Sequence, residues 1–254
     1  MQAFARLLDI MDELREKCPW DKKQTWESLR HLTIEETYEL GDAILDRNLK
    51  EIKKELGDLL LHIVFYAKIG SEEKAFDIAD VANAVCDKLI VRHPHIYGDV
   101  KAETDEDVKK NWEKIKLKEG RKSVLEGVPR SLPAMVKASR IQDKVAGVGF
   151  DWDSIDGVFD KVKEEIEELH KEVKDQNLSN IEAELGDVFF SLINYARFLK
   201  VNPEDALERT NKKFIQRFQY LERTAEAKGK ALKDMTLAEM EQYWQEAKAI
   251  PHLH

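Results

Sequence analysis

The chain has 254 residues, 43% of them apolar and 36% charged, with a formal net charge of −9. That length holds one large domain or two small ones, with apolar residues enough for a core in each. The acidic balance argues against a general nucleic-acid binder, which needs a basic face, but leaves phosphorylated substrates open because bound cations reverse local charge.

The chain opens with MQAFARLLDIMDELREKC, an amphipathic helix with Leu7, Leu8, Met11 and Leu14 on one face. Charge interrupts its apolar run from the start, so it does not read as a signal peptide. No segment has the apolar length of a membrane span. Cys18 and Cys86 are the only cysteines, which implies no disulfide framework and fits a reducing cytoplasm.

The next helix carries Glu35, Glu36 and Glu39 as E-E-x-x-E. A turn at Asp46-Arg47-Asn48 leads to a helix with Ile52, Leu56, Leu59, Leu60, Ile63 and Tyr66 marking one apolar face. That helix holds Glu55 and Asp58 within an E-L-G-D tetrapeptide. Further on, Lys88 and Arg92 lie four apart, and His93-Pro94-His95 reads as a His-rich turn at a helix end rather than a metal site.

From Gly98 to Pro133 the composition changes. A charge run (Lys101 to Lys110) and a short helical piece, Val108 to Lys118 with Trp112, precede a linker stretch with Gly120, Gly127, Pro129 and Pro133. The second domain is placed from Ala134. Its acidic helix carries Glu164, Glu165 and Glu168, and the turn Asp175 to Asn180 offers Ser179 or Asn180 as N-cap. The following helix repeats that apolar face as Ile181, Leu185, Val188, Phe189, Leu192 and Tyr195, and holds Glu184 and Asp187 in a second E-L-G-D. Lys213 and Arg217 lie four apart downstream, and His252 and His254 read as a solvated tail.

No convincing alternating strand appears, so the fold class is predicted as all-α. The predicted organisation is an N-terminal helical domain over 1–98, a linker with a short helix over 99–133 and a C-terminal helical domain over 134–254.

The repeat carries the functional argument. One offset of 129 residues takes Glu35, Glu36, Glu39, Glu55 and Asp58 onto Glu164, Glu165, Glu168, Glu184 and Asp187. A lone E-E-x-x-E is usually a solvated helix face, but two copies with the same internal spacing imply a duplicated site. Residues three and four apart share a helix face. Folding each hairpin about its turn brings both carboxylate groups to roughly 10–15 Å from the turn, at the same height. Converging carboxylates repel unless cations neutralise them, and an all-oxygen set suits a hard cation such as magnesium. Gly57 and Gly186, costly inside helices, are expected to mark close packing against another helix. The Lys/Arg pairs, Lys88 with Arg92 and Lys213 with Arg217, suit a polyphosphate chain beside the cations.

Other chemistries fit less well. Glu167-x-x-His170 matches half of a di-iron signature, but the counterpart of His170 in the first half is Gly41. There is no phosphate-binding G-x-x-x-x-G-K-[ST] and no G-x-S-x-G.

Several segments together resemble the MazG family of nucleoside triphosphate pyrophosphohydrolases in its tandem two-domain form. They are Cys18-Pro19-Trp20-Asp21, Glu35-Glu36-Thr37-Tyr38-Glu39, Glu55-Leu56-Gly57-Asp58-Leu59-Leu60, Gly127-Val128-Pro129-Arg130-Ser131-Leu132-Pro133, Val148-Gly149-Phe150-Asp151-Trp152, the second E-L-G-D and Asn211-Lys212-Lys213-Phe214. The resemblance implies tight all-α homodimers with four-helix packing at each site. It implies Mg2+, with Mn2+ able to substitute, and hydrolysis of NTPs or dNTPs between the α- and β-phosphorus atoms. It further implies metal ligands Glu165, Glu168, Glu184 and Asp187, with Glu164 as an additional ligand or the group that orients the attacking water. Lys213 and Arg217 would contact phosphates, Asn194 and Asn211 metal-bound groups or substrate, and Trp244 the base. Glu35, Glu36, Glu39, Glu55 and Asp58 form a possible second metal site.

Broad specificity is expected, because no dedicated base-recognition motif is present. Asn194 corresponds to Phe65, and Asn211 to Cys86 after a four-residue length difference, so the second half is expected to do most of the catalysis. The rival readings are a narrow-specificity all-α hydrolase of the dUTPase type and a non-catalytic helical module that binds a basic partner.

Overall fold

The computed structural model describes residues 2–102, 104, 107, 108, 111, 112, 115 and 123–250. Every regular element among the described residues is helical. The chain divides into two compact units, Met1–Trp112 and Glu113–His254. The boundary falls inside the predicted linker. Most of the short helix expected over Val108 to Lys118, and Gly120 with it, lies outside the described residues.

The first unit contains α1 (Gln2–Lys17), α2 (Trp26–Leu45), α3 (Leu49–Glu72), α4 (Ile78–Arg92) and the single turn α5 (Pro94–Tyr97). Helix α2 starts at a reciprocal capping box between Thr25 and Ser28, and α4 at another between Asp77 and Asp80. Between α2 and α3 the chain reverses through Arg47 in the left-handed conformation (φ 52°), and the Asn48 side chain accepts from the Glu51 amide. The core joins Met11 of α1, Leu29 of α2 and Val64, Phe65 and Ile69 of α3. Helix α4 ends where the His93 ring meets the Leu89 carbonyl (2.7 Å), so His93 closes the helix as the sequence suggested.

The second unit contains α6 (Ala134–Ala146), α7 (Ile155–Asp175), α8 (Leu178–Phe198), α9 (Pro203–Ala227) and α10 (Leu237–Lys248). Helices α7 and α8 form the tightest pair, α6 lies on α8, and α10 packs on the C-terminal part of α9. Gln142 of α6 donates to the Phe190 carbonyl (2.8 Å). Leu221, Ala225, Met235 and Tyr243 close the α9–α10 end.

Two local expectations change. The N-cap of α8 is Asn177, not Ser179 or Asn180. Gln176 turns the chain in the left-handed conformation (φ 57°), as Arg47 does in the first half, so the helix starts earlier. The apolar faces of α3 and α8 are only partly covered. Leu56, Leu60 and Ile63 are exposed, while Glu55, His62, Val64, Phe65 and Ile69 are buried. In α8 likewise Leu185, Phe189 and Leu192 are exposed, and Val188, Ser191 and Ile193 are buried. Both helices carry apolar residues around much of their circumference, and a single chain covers only one side. Finally, a Cβ built at Gly57 or Gly186 would meet nothing within 4 Å. These glycines lie on the uncovered side, so no close helix approach among the described residues accounts for them.

Candidate active site

Each half brings carboxylates from two antiparallel helices together. In the second, Glu165 of α7 meets Glu184 and Asp187 of α8, each offering an oxygen within 4.8 Å of the others. In the first, the corresponding group is Glu36 and Glu39 of α2 with Glu55 of α3, under the same limit. The hairpin turns set this register, because both sites lie at the same height above them.

Glu165 and Glu55 are buried, with 7% and 3% exposure, so one carboxylate anchors each group beneath the surface. Glu55 Oε2 is buried with no hydrogen-bond partner among the described residues. A buried, unsatisfied carboxylate oxygen costs free energy unless a ligand completes it. Glu36 has its pKa raised, first by desolvation and then by the charges of Asp58, Glu39 and Glu55. Glu168 is raised likewise, first by desolvation and then by Glu165 and Glu184. Convergent oxygens, an orphaned buried atom and mutual repulsion fit a hard divalent cation and give no reason to expect a soft one.

Glu168 and Asp58 stand at the edges of the groups rather than within the tight trios. Glu164 is exposed and accepts a hydrogen bond from Lys161 (2.8 Å), which also pairs with Glu165 (2.8 Å). Hydrogen bonds to Glu164 and then Glu165 raise the pKa of Lys161. Lys54 plays a related part in the first half, 2.8 Å from Glu55 and 4.0 Å from both Glu39 and Asp58. Neither lysine stands out in the sequence, since Lys50, Lys53, Lys54, Lys161 and Lys163 all read as solvated helix positions.

The other expected residues have varied surroundings. The oxygen of Asn194 accepts from Arg197 Nε (3.0 Å) and Nη2 (2.9 Å), and Arg197 also grips Asp151 through both terminal nitrogens. Asn194 therefore helps tie α8 to the loop before α7, and its acceptor is already engaged. Asn211 is exposed, with its amide 3.3 Å from Glu208. Lys213 and Arg217 lie one turn apart on α9, both half-buried. Trp244 packs on Phe214 with ring centroids 4.9 Å apart, so this indole sits beside the residue following Lys213.

Near the first group, His62 is buried one turn beyond Asp58. Its Nδ1 lies 2.9 Å from the Thr33 hydroxyl, itself 2.7 Å from the Tyr66 hydroxyl. Desolvation lowers the His62 pKa against the opposing pull of Asp58. The 129-residue offset puts Ser191 in that place, where it bonds the Val188 carbonyl (3.0 Å). A buried polar residue thus lies one helical turn after Asp58 and after Asp187. His93 and His95 have ring centroids 5.6 Å apart and are members of neither carboxylate group.

Comparison with known proteins matches the MazG nucleotide pyrophosphohydrolase domain twice, over residues 24–97 and 155–221. Each match contains one carboxylate hairpin. The chain is 42% identical over 257 residues to a nucleoside triphosphate pyrophosphohydrolase of Escherichia coli K12, covering 98% of both chains. It is 44% identical over 250 residues to the nucleoside triphosphate pyrophosphohydrolase/pyrophosphatase MazG of Thermotoga maritima, covering 96% of this chain and 95% of that one. It is also 45% identical over 251 residues to Bacillus subtilis YabN, covering 96% of this chain and 51% of YabN. With a domain match on each hairpin and relatives aligned almost end to end, this chain belongs to the MazG family.

Proposed function

We propose that the protein is a magnesium-dependent nucleoside triphosphate pyrophosphohydrolase that converts NTPs and dNTPs to monophosphate and pyrophosphate. The observation that carries this reading is the two-helix trio of Glu165, Glu184 and Asp187. Together with Glu168 at its edge, it would hold Mg2+ or Mn2+. A cation bound there supplies charge neutralisation for the polyphosphate and polarisation of the attacked phosphoryl group.

The chain's own residues do the rest. Glu164, exposed beside the trio, takes the proton from the attacking water. Lys213 and Arg217 bind phosphate oxygens, the first as a point charge and the second as a fork. Asn211 contacts the substrate, while Asn194 holds Arg197 and the Asp151 loop in position. Trp244, backed by Phe214, offers a face to the base. Positioning and charge stabilisation are what phosphoryl transfer chiefly requires. An assay of the common and damaged triphosphates with Mg2+ should give monophosphate and pyrophosphate across several bases. Diphosphate and orthophosphate as products would overturn the assigned bond, and a preference above about a thousandfold for one base would overturn breadth.

We also propose that the working form is a homodimer. The exposed strips Leu56, Leu60, Ile63 on α3 and Leu185, Phe189, Leu192 on α8 support it, as do the open Gly57 and Gly186 beside them. Such contiguous apolar area favours association at roughly 25 cal/mol per Å² buried. Light scattering should give twice the chain mass of 29.5 kDa. Phe189→Glu should shift that mass toward the monomer. A monomer at micromolar concentration in the unaltered protein would refute the assembly. Cys18 and Cys86 are free thiols, and we assign the protein to the cytoplasm on that basis. Among the described residues no helix is long and apolar enough to cross a membrane.

A further inference from the structure

We propose that Lys54 is the resident counter-cation of the first carboxylate group, and that it competes there with the divalent cation and keeps the first half weakly metallated. The inference rests on the reading of both groups as divalent-cation sites. It concerns how the two copies differ.

The lysine ammonium bridges the two helices. Its Nζ lies 2.8 Å from Glu55 Oε1 and 4.0 Å from Asp58 Oδ2 on α3, and 4.0 Å from Glu39 Oε2 on α2. Glu39 and Glu55 also belong to the trio whose oxygens converge within 4.8 Å. A cation entering that trio must displace the ammonium from a charge-assisted hydrogen bond, or bind beside it against Coulomb repulsion. Lys54 leaves Glu55 Oε2 unsatisfied, so it occupies the site without completing it.

The second copy is built differently. The 129-residue offset replaces Lys54 with Ala183, and replaces Lys161 with Leu32 in the other direction. Among the described residues the ion pairs of Lys161 are with Glu164 and Glu165, both on its own helix. No ion pair among the described residues engages Glu184 or Asp187, the two members of the trio that α8 contributes. The side of the second trio that faces between the helices is therefore open to a cation.

The test is Mn2+ binding followed by electron paramagnetic resonance, which needs no turnover. A full-length Glu184→Gln, Asp187→Asn parent silences the second group and leaves the first as the reporter. Adding Lys54→Met to that parent should tighten Mn2+ binding roughly tenfold or more, because one contacting charge is removed. Adding Lys54→Arg, which keeps the charge, should leave binding near the parent's. Thermal unfolding gives a second readout: without metal, Lys54→Met should melt below Lys54→Arg, and Mn2+ should close the gap. The proposal is overturned if Lys54→Met binds no tighter than the parent while the second group of the unaltered chain binds Mn2+. It is overturned equally if the first group of the unaltered chain binds as tightly as the second. An unaltered chain that binds no Mn2+ would instead remove the metal reading of both groups, and this proposal with it.

Discussion

Glu184→Ala and Asp187→Ala should each lower kcat by about a thousandfold, the scale of several kcal/mol of lost charge stabilisation at a phosphoryl centre. Glu55→Ala and Asp58→Ala should leave most of the activity. Both pairs occupy matching positions, so the difference must come from what surrounds them. Asn194 accounts for little of the difference, because its oxygen is already held by Arg197. The structure supplies another asymmetry: Lys54 lies among the first group's carboxylates, and Ala183 stands in its place in the second. Steady-state kinetics on the four variants decide the matter. If first-half variants lose as much as second-half ones, the two sites work alike and the asymmetry is wrong. Unfolding offers no escape for the second-half pair: no ion pair among the described residues engages Glu184 or Asp187, so removing either carboxylate relieves repulsion and should leave the metal-free melting temperature unchanged or higher.

Chelating divalent cations should abolish turnover, and the metal-free protein should show an inverted pH response at its carboxylate groups. Glu36 and Glu168 are both raised above the ordinary value of 4.5. Such a group gives its full stability below the unfolded value and loses it as pH rises through the folded one. The contribution of these two residues should therefore fall from about pH 4.5 upward in chelator, by direction opposite to that of a salt-bridged carboxylate. Mg2+ should raise the melting temperature at pH 7, since it binds the native groups and not the unfolded chain. Melting curves at pH 5 and pH 7, with and without Mg2+, test the sign. A metal-free protein that gains nothing from Mg2+ at pH 7 would contradict the cation reading. Glu239 is an internal comparison of opposite sense. Lys230, the Thr236 backbone and the Thr236 hydroxyl lower it to about 2, so its contribution is present above 4.5 and is lost only as pH falls toward 2. Glu239→Gln should destabilise the protein at pH 7 and make little difference near pH 2.

The all-α class, the tandem hairpins, the family and most of the converging carboxylates were legible from the residues alone. These follow from local rules. Helical period is written in each segment, three- and four-residue spacing fixes which acids share a face, and a turn of fixed length sets where two helices meet. The 129-residue offset made the acids legible because both copies kept the same register. Tertiary structure alone decided the rest. It placed Leu56, Leu60, Leu185 and Phe189 outside, because a helix apolar on several sides does not say which side its own chain covers. It moved the start of α8 to Leu178, because the turn depends on the left-handed Gln176. It gave the Asn194 oxygen to Arg197, which also grips Asp151, 46 positions earlier in the chain. And it brought Lys54 between the helices, where a flexible ammonium goes to the deepest concentration of negative charge, a field that exists only after the hairpin has closed.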